Sequence, residues 1–357
     1  MKPESLKAAA VELLTEIYQT VRPASEVINT YTRNRRYIGS KDRRNLTETV
    51  WDYIRHNRRL AYAYPDLNIE KRLDKLPDLP EVIRDAPSAV NYEVPDWLIA
   101  EIPNSDKELP ALLDTADTVL RANGNRDTIQ KMLSETDIET EKTTLSPYGL
   151  KLKKRINLNA HPLYKQGLIE IQDEGSQCVA LETGIQAGDT VLDYCAGAGG
   201  KSLIFAQMMQ DKGKIIASDI SDRSLAELQK RVERANVHCI KVQKPLKPAL
   251  YDHVVVDAPC SGTGTWRRCP DARFKLTQEQ LNKIVKVQSE ILDTVVPFVK
   301  QQGKLSYMTC SLTEVENSGQ VHAFLNRHPD FKCIKKKQYS PYQTKTDGLF
   351  IAVFERK

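Results

Sequence analysis

LDYCAGAGGKS, residues Leu192 to Ser202, decides the fold. The apolar run TVLDYCA carries an acid near its end, turns through glycines and continues as KSLIFAQMMQ, which has helical composition. Such a run reads as strand, turn and helix. Gly197, Gly199 and Gly200 permit a tight turn and a close approach of backbone to a ligand. The spacing is not GxGxxG. It is not a phosphate loop either, because Cys195 stands where GxxxxGK[ST] needs its first glycine. The next apolar run, IIASDIS, ends at Asp219, where a carboxylate can accept from two ribose hydroxyls. Asp193 stands closer to an amino group of the same ligand. The residues alone fit either NAD or S-adenosylmethionine. The bland alternative is a plain strand-to-helix turn, with Asp219 capping the following helix.

Outward from this stretch the alternation continues. KIIASDI precedes RSLAELQKRVERA, HVVVDAP precedes LTQEQLNKIVKVQSEILDTVVPFV, and KLSYMTC precedes VENSGQVHAFLNRH. GLFIAVFE closes the chain as a strand expected to be antiparallel at the sheet's end. Sequential strand–helix units give an α/β domain, placed at residues 166–357, with a mostly parallel sheet covered on both faces. Ligands of such sheets sit beyond the carboxyl ends of the strands. Two strand exits carry a thiol, Cys260 in VVVDAPCSGTG and Cys310 in LSYMTCS. If the two strands are neighbours, both thiols open into the ligand crevice, where a thiolate is a competent nucleophile. The alternative is a pair of buried structural cysteines.

Upstream, ESLKAAAVELLTEIYQTV and NLTETVWDYIRHNRRLAYAY have helical spacing, which defines a helical, basic region over 1–75. Between them YTRNRRYIGSKDRRN gathers Arg33, Arg35, Arg36, Lys41, Arg43 and Arg44 around Tyr31 and Tyr37. Guanidinium forks suit phosphate oxygens and tyrosines stack on bases, so these six are candidate nucleic-acid contacts; the alternative is a solvated helical face. Arg267 and Arg268, past the glycine turn after Cys260, are candidates for the same role. Residues 76–165 read as a small α/β RNA-binding or linking module, with TVLRANGNRDTIQKMLSE as strand, turn and helix and PYGLKLKKRINL as a basic strand.

The 357-residue chain is 28% charged with a formal net charge of +5, which permits an acidic partner without naming one. Its seven cysteines are odd in number and form no CxxC pair, which argues against a disulfide framework and a thiolate zinc site. No apolar run reaches membrane-spanning length and no leader pattern opens the chain. The expectation is a soluble cytoplasmic protein, by default a monomer, without metal.

Residues 166–354 closely resemble the catalytic domain of the RNA cytosine-5 methyltransferases, the family that includes the ribosomal small-subunit enzyme and the eukaryotic nucleolar and tRNA enzymes. GLIEIQDEGSQ resembles the motif that opens that domain, LDYCAGAGGKS the cofactor loop, ASDI the ribose acid, DAPCSGTGTWRRCPD the proline–cysteine motif, TCSLTEVEN the nucleophile motif and TDGLF the closing strand. TVLRAN and RRYIGSKDRR resemble upstream family features. The resemblance implies a Rossmann-like class I S-adenosylmethionine-dependent fold with a seven-stranded sheet. It implies Cys310 as nucleophile and Cys260 as the thiol that assists release, the reverse of the DNA enzymes. Asp257 is expected at the N3 and amino edge of cytosine, and Lys201 near base and cofactor. Asp193, Cys195, Ala196, Gly197, Ala198, Gly199, Gly200, Lys201, Asp219, Arg223, Gln243, Asp257 and Pro259 are expected to line the S-adenosylmethionine site. The implied partner is RNA, ribosomal by preference and transfer RNA as the alternative, with the target cytosine out of its stack. Two departures stand out. Gly197-Ala198 replaces the family's usual Ala-Pro, and the acid that members carry toward adenine after the third strand is missing, with Gln243 in its neighbourhood. That missing acid favours one rival, a non-catalytic RNA-binding or ribosome-assembly protein of the same fold. A nicotinamide dehydrogenase would leave both thiols idle.

Overall fold

The computed structural model describes residues 2–357. They divide into two compact units, one of residues 1–115 with 265–280 and one of 116–264 with 281–357. This differs from the three-part division at 75 and 165 expected from composition. Residues 116–165 of the expected small module share a unit with the larger sheet, while residues 76–115 and the second half of the proline–cysteine motif belong with the N-terminal helices.

In the first unit the helices Pro3–Gln19, Ala24–Asn34 and Ser40–Arg55 bury apolar faces that include Leu13, Leu14, Val27, Leu46, Val50 and Tyr53. NLTETVWDYIRHNRRLAYAY is broken at His56 into Ser40–Arg55 and Asn57–Ala63. The cause is Glu93, fully buried, which accepts from the backbone N–H groups of Arg58 at 2.7 Å and Arg59 at 3.1 Å. A carboxylate on the first free N–H groups of a helix stabilises a new start there.

The second unit holds two sheets. β1 (Val119–Ala122), β2 (Thr140–Lys142), β3 (Gly149–Leu152) and β4 (Ile169–Ile171) form an antiparallel sheet in the order β2-β3-β1-β4. It docks on the larger sheet's helices through buried polar groups. Arg121 of β1 donates to Gln207 at 3.1 Å, and Glu170 of β4 accepts from Arg231 at 2.9 Å and from Arg234.

The larger sheet comprises β5 (Thr190–Asp193), β6 (Lys214–Ala217), β7 (Ile240–Val242), β8 (Tyr251–Asp257), β9 (Val299–Thr309), β10 (Phe331–Tyr339) and β11 (Leu349–Arg356). Their order is β10-β11-β9-β8-β5-β6-β7, with β7, β6, β5, β8 and β9 mutually parallel. Side chains alternate between two cores: Val254 and Val256 pack into one face and Val255 into the other. A strand covered on both sides must be apolar throughout, which is why VVV reads as a run. β11 is antiparallel, as expected, but lies between β9 and β10 rather than at the sheet's end. The edge is β10, FKCIKKKQY, which the alternation of apolar runs and helices does not announce. The chain runs outward from β5 through β6 to β7, then returns to β8 beside β5. That reversal is the switch point where ligands of open α/β sheets bind, and Asp193 and Asp257 end the two strands that flank it.

Candidate active site

β8 and β9 are parallel neighbours, so the loops after them leave the sheet side by side. Cys260 and Cys310 meet there, with their Sγ atoms 3.0 Å apart and the Cys310 N–H donating to the Cys260 sulfur at 3.3 Å. The Cys260 thiol is pushed well up, first by its hydrogen bond to Cys310, then by burial and by the nearby charges of Cys310 and Glu316. Lys201, at the start of the helix Gly200–Met208, donates to Asp257 Oδ2 at 2.6 Å. Burial pushes the Lys201 ammonium down, but Asp257 and Cys310 more than offset it and its pKa is raised. A cation is therefore kept charged beside the pair of sulfurs.

Beside this group lies a cleft of about 750 Å³. Gly197, Asp219, Asp257, Pro259 and Cys195 are among its lining residues. Asp219 accepts from the N–H of Gly197 at 2.9 Å and of Ser221 at 2.8 Å, which braces the glycine turn and leaves carboxylate lone pairs for a ligand. Gly199 takes a left-handed φ of 82° at the helix start, and a Cβ there would stand 2.6 Å from Leu228 Cγ. At Gly197 a Cβ would meet nothing within 4 Å. Ala196 and Ala198 complete the turn, the first donating its N–H to Ser218 and the second accepting from Arg231 at 2.9 Å. Asp193 is fully buried: Oδ2 accepts from Ser202 at 2.6 Å while Oδ1 has no partner. Burial, first of all, raises its carboxyl to about 7. Cys195 is likewise raised, by burial and then by Asp193, so this third thiol is held neutral. An orphaned buried acceptor, a braced ribose-height acid and a glycine turn facing open space are the features a nucleoside cofactor with an amino group needs.

Of the thirteen expected lining residues, Cys195, Gly197, Asp219, Asp257 and Pro259 line the cleft and the other eight do not, Arg223 and Gln243 among them. Arg223 is exposed on the helix Asp222–Arg234, and Gln243 donates its backbone N–H to Ala217 without lining the cleft. Lys244 lines it instead, its Nζ 2.8 Å from Asp222. The apolar walls come from Tyr194, Ile220, Leu246, Val287 and Ile291, none of them among the expected lining residues. Ile220 is 94% exposed immediately after the ribose-height acid, and Val287 and Ile291 are four apart on one helix. An apolar side chain left that bare next to a polar motif is the usable sequence signal.

Among protein families, the one described as 16S rRNA methyltransferase RsmB/F matches residues 180–355. The probable ribosomal RNA small subunit methyltransferase B of Bacillus subtilis (strain 168) is 29% identical over 297 residues, covering 74% of this chain and 66% of the relative. The ribosomal RNA small subunit methyltransferase B of Proteus mirabilis (strain HI4320) is 30% identical over 281 residues, with the same coverage of 74% and 66%. Over residues 180–355 the chain belongs to the RsmB/F family. It spans about 66% of the length of these curated relatives. In fold it is similar to the crystal structure of PH0851 (TM-score 0.83, 21% identity, 100% of this chain and 99% of the other). It is also similar to NSun6 from Pyrococcus horikoshii with SFG (TM-score 0.65, 17% identity, 71% and 94%). Both share the Rossmann-like fold.

Within this RsmB/F chain the basic candidates divide. In the helical unit Arg35 pairs with Glu12 at 2.6 Å and lies 3.6 Å over the Tyr31 ring, Arg43 donates to the Ile38 carbonyl at 2.8 Å, and Arg44 pairs with Glu48 at 2.8 Å. Arg33, Arg36 and Lys41 are exposed and make no hydrogen bond or ion pair among the described residues. Arg267 is only 5% exposed and donates to the Thr115 carbonyl within the same unit, so its guanidinium is committed to structure rather than presented to a backbone phosphate. Arg268 is half-buried. No helix of the described residues is long and apolar enough to cross a membrane.

Proposed function

We propose that this chain is an S-adenosylmethionine-dependent RNA cytosine-C5 methyltransferase acting on ribosomal RNA, by way of a covalent bond between Cys310 and C6 of the target base. The observation that carries the reading is the 3.0 Å approach of Cys260 and Cys310 beside the Lys201–Asp257 pair. C5 of cytosine is a poor nucleophile. Addition of the Cys310 thiolate to C6 turns C4–C5–C6 into an enamine whose electron density lies at C5. Lys201, kept charged, lies beside the attacking sulfur, and Asp257 stands where it can hydrogen-bond the N3 and amino edge as charge develops. S-adenosylmethionine bound in the cleft supplies an electrophilic methyl group. Loss of the C5 proton to a base then expels the Cys310 sulfur from C6, and Cys260, within reach, assists that departure. The site demands an unstacked cytosine. The cytoplasm, where thiols stay reduced, suits seven cysteines with no CxxC pair.

Incubation with labelled S-adenosylmethionine and ribosomal or transfer RNA, followed by mapping of 5-methylcytosine, tests the reading and separates the two substrates. Cys310→Ala should lose turnover by at least ~10³-fold, the order expected when an attacking group is removed. Cys260→Ala should accumulate a denaturation-resistant RNA–protein adduct. An adduct that persists in Cys310→Ala overturns the assignment of roles. The rival, a non-catalytic RNA-binding protein, draws on the lysine rather than an acid at the cleft's adenine side. RNA binding with no S-adenosylmethionine binding by calorimetry would favour it.

A further inference from the structure

TCSLTEVEN carries an acid whose placement the proposed chemistry leaves unused. Glu316 is fully buried and makes no ion pair among the described residues. Its Oε1 accepts from the Ser261 N–H at 2.7 Å and from Gln288 Nε2 at 3.0 Å, and its Oε2 accepts from Ser261 Oγ at 2.5 Å, Ser311 Oγ at 2.5 Å and Thr313 Oγ1 at 2.7 Å. Ser261 follows Cys260 and Ser311 follows Cys310. Gln288 also donates to the carbonyl of Pro259, the residue before Cys260, at 2.9 Å. The next residue, Asn317, accepts from Thr309 at 2.7 Å and donates to the Ser311 carbonyl at 2.9 Å, holding both neighbours of Cys310. One carboxylate thus fastens two loops that are far apart in sequence, and the sulfurs they carry touch.

A buried anion satisfied only by neutral donors keeps its field, because no counter-charge cancels it. We propose that Glu316 is a positioning residue that ties the two cysteine loops together and, by its charge, disfavours a thiolate on Cys260, so that Cys310 is the sulfur presented to the base. The groups facing Cys260 are the Cys310 thiol, the Glu316 carboxylate and the Tyr307 hydroxyl, with the Lys201–Asp257 pair on the Cys310 side. Their charges run in order: ammonium, then Cys310, then Cys260, then carboxylate. A thiolate is disfavoured at the anionic end of that row, which agrees with the raised Cys260 thiol. This proposal deepens the reading of the site as a two-thiol methyltransferase and rests on it.

Alkylation of the full chain by iodoacetamide, followed site by site by mass spectrometry from pH 6 to 10, tests it without RNA or cofactor. In the native chain Cys310 should react first. In Glu316→Gln, Cys260 should react about tenfold faster at pH 7 and its reactivity profile should move down by about one unit, the equivalent of one charge interaction. Glu316→Asp, which keeps the charge, should restore the native order. Loss of thermal stability with an unchanged Cys260 to Cys310 ratio would reduce Glu316 to a structural acid and overturn the proposal. Gln288→Leu, which removes one donor and leaves the acid, is the second variant if Glu316→Gln fails to fold. It should speed reaction at Cys260 relative to Cys310, since losing a donor favours the neutral carboxyl and weakens its field, and an unaltered ratio there also overturns the proposal. Altered alkylation order in a chain that transfers no methyl to RNA would sink the function and leave the positioning role standing.

Discussion

Asp193 shows how burial writes a pH dependence into one side chain. It ends β5 with no exposure, and burial lifts its carboxyl from 3.8 to about 7. In the unfolded chain it ionises near the lower value. Between the two the unfolded state holds fewer protons, so stability falls as pH rises; the favourable contribution is whole below about pH 4 and is lost through pH 7. Urea unfolding of the native chain should therefore weaken between pH 5 and pH 8, and Asp193→Asn should flatten that decline by roughly 2–3 kcal/mol. The same ionisation turns the orphaned Oδ1 into a charged acceptor. Affinity for S-adenosylmethionine, measured by calorimetry, should rise from pH 6 to pH 8 in the native chain and lose that rise in Asp193→Asn. Equal slopes in both proteins would remove Asp193 from the account.

The strand-exit loops impose steric demands that hydrogen bonds alone do not reveal. Gly264 donates its N–H to Cys310 O at 3.0 Å and accepts from the Gly348 N–H at 2.8 Å; a Cβ on Gly264 would stand 2.0 Å from Gly348 O. Backbone meets backbone there, so neither side can yield by rotating a side chain. Gly264→Ala should cost roughly 2 kcal/mol or more of unfolding free energy and widen the separation of the sulfurs, read as slower formation of the Cys310–RNA bond. An alanine variant as stable and as fast as native would contradict the close approach. This contact also marks what the sequence discloses. β5, β8 and β9 are legible because strands covered on both faces must be apolar throughout, and the glycines and cysteines at their ends follow from what a crevice requires. β10 is hidden because an edge strand carries lysines, here Lys332, Lys335, Lys336 and Lys337, which pattern as loop. The insertion of β11 between β9 and β10 is a pairing choice that no single-strand pattern encodes. Glu316 is hidden for a related reason: its partners come from 261, 288, 311 and 313, and only the fold brings those loops to one carboxylate.

A net charge of +5 says little until the arginines are sorted by what they touch. Density along the chain overstates availability. Of the six basic residues between Tyr31 and Asn45, Arg35 is spent on Glu12 and Tyr31, Arg43 on a backbone carbonyl and Arg44 on Glu48. Arg33, Arg36 and Lys41 remain exposed, with Tyr37 among them 76% exposed and able to stack on a base. Each phosphate neutralised on a single strand releases counterions worth about 0.7 in the slope of log affinity against log salt. Replacing Arg33, Arg36 and Lys41 together by alanine should therefore lower that slope by about 2 in fluorescence-anisotropy titrations against RNA between 50 and 200 mM salt. The thermal midpoint should hold, since these three side chains support nothing. Arg35→Ala should do the opposite, lowering the midpoint and sparing the salt slope. A triple variant with the native slope would move RNA recognition away from this turn, and a stable Arg35→Ala with a reduced slope would show that the Glu12 pair opens when RNA arrives.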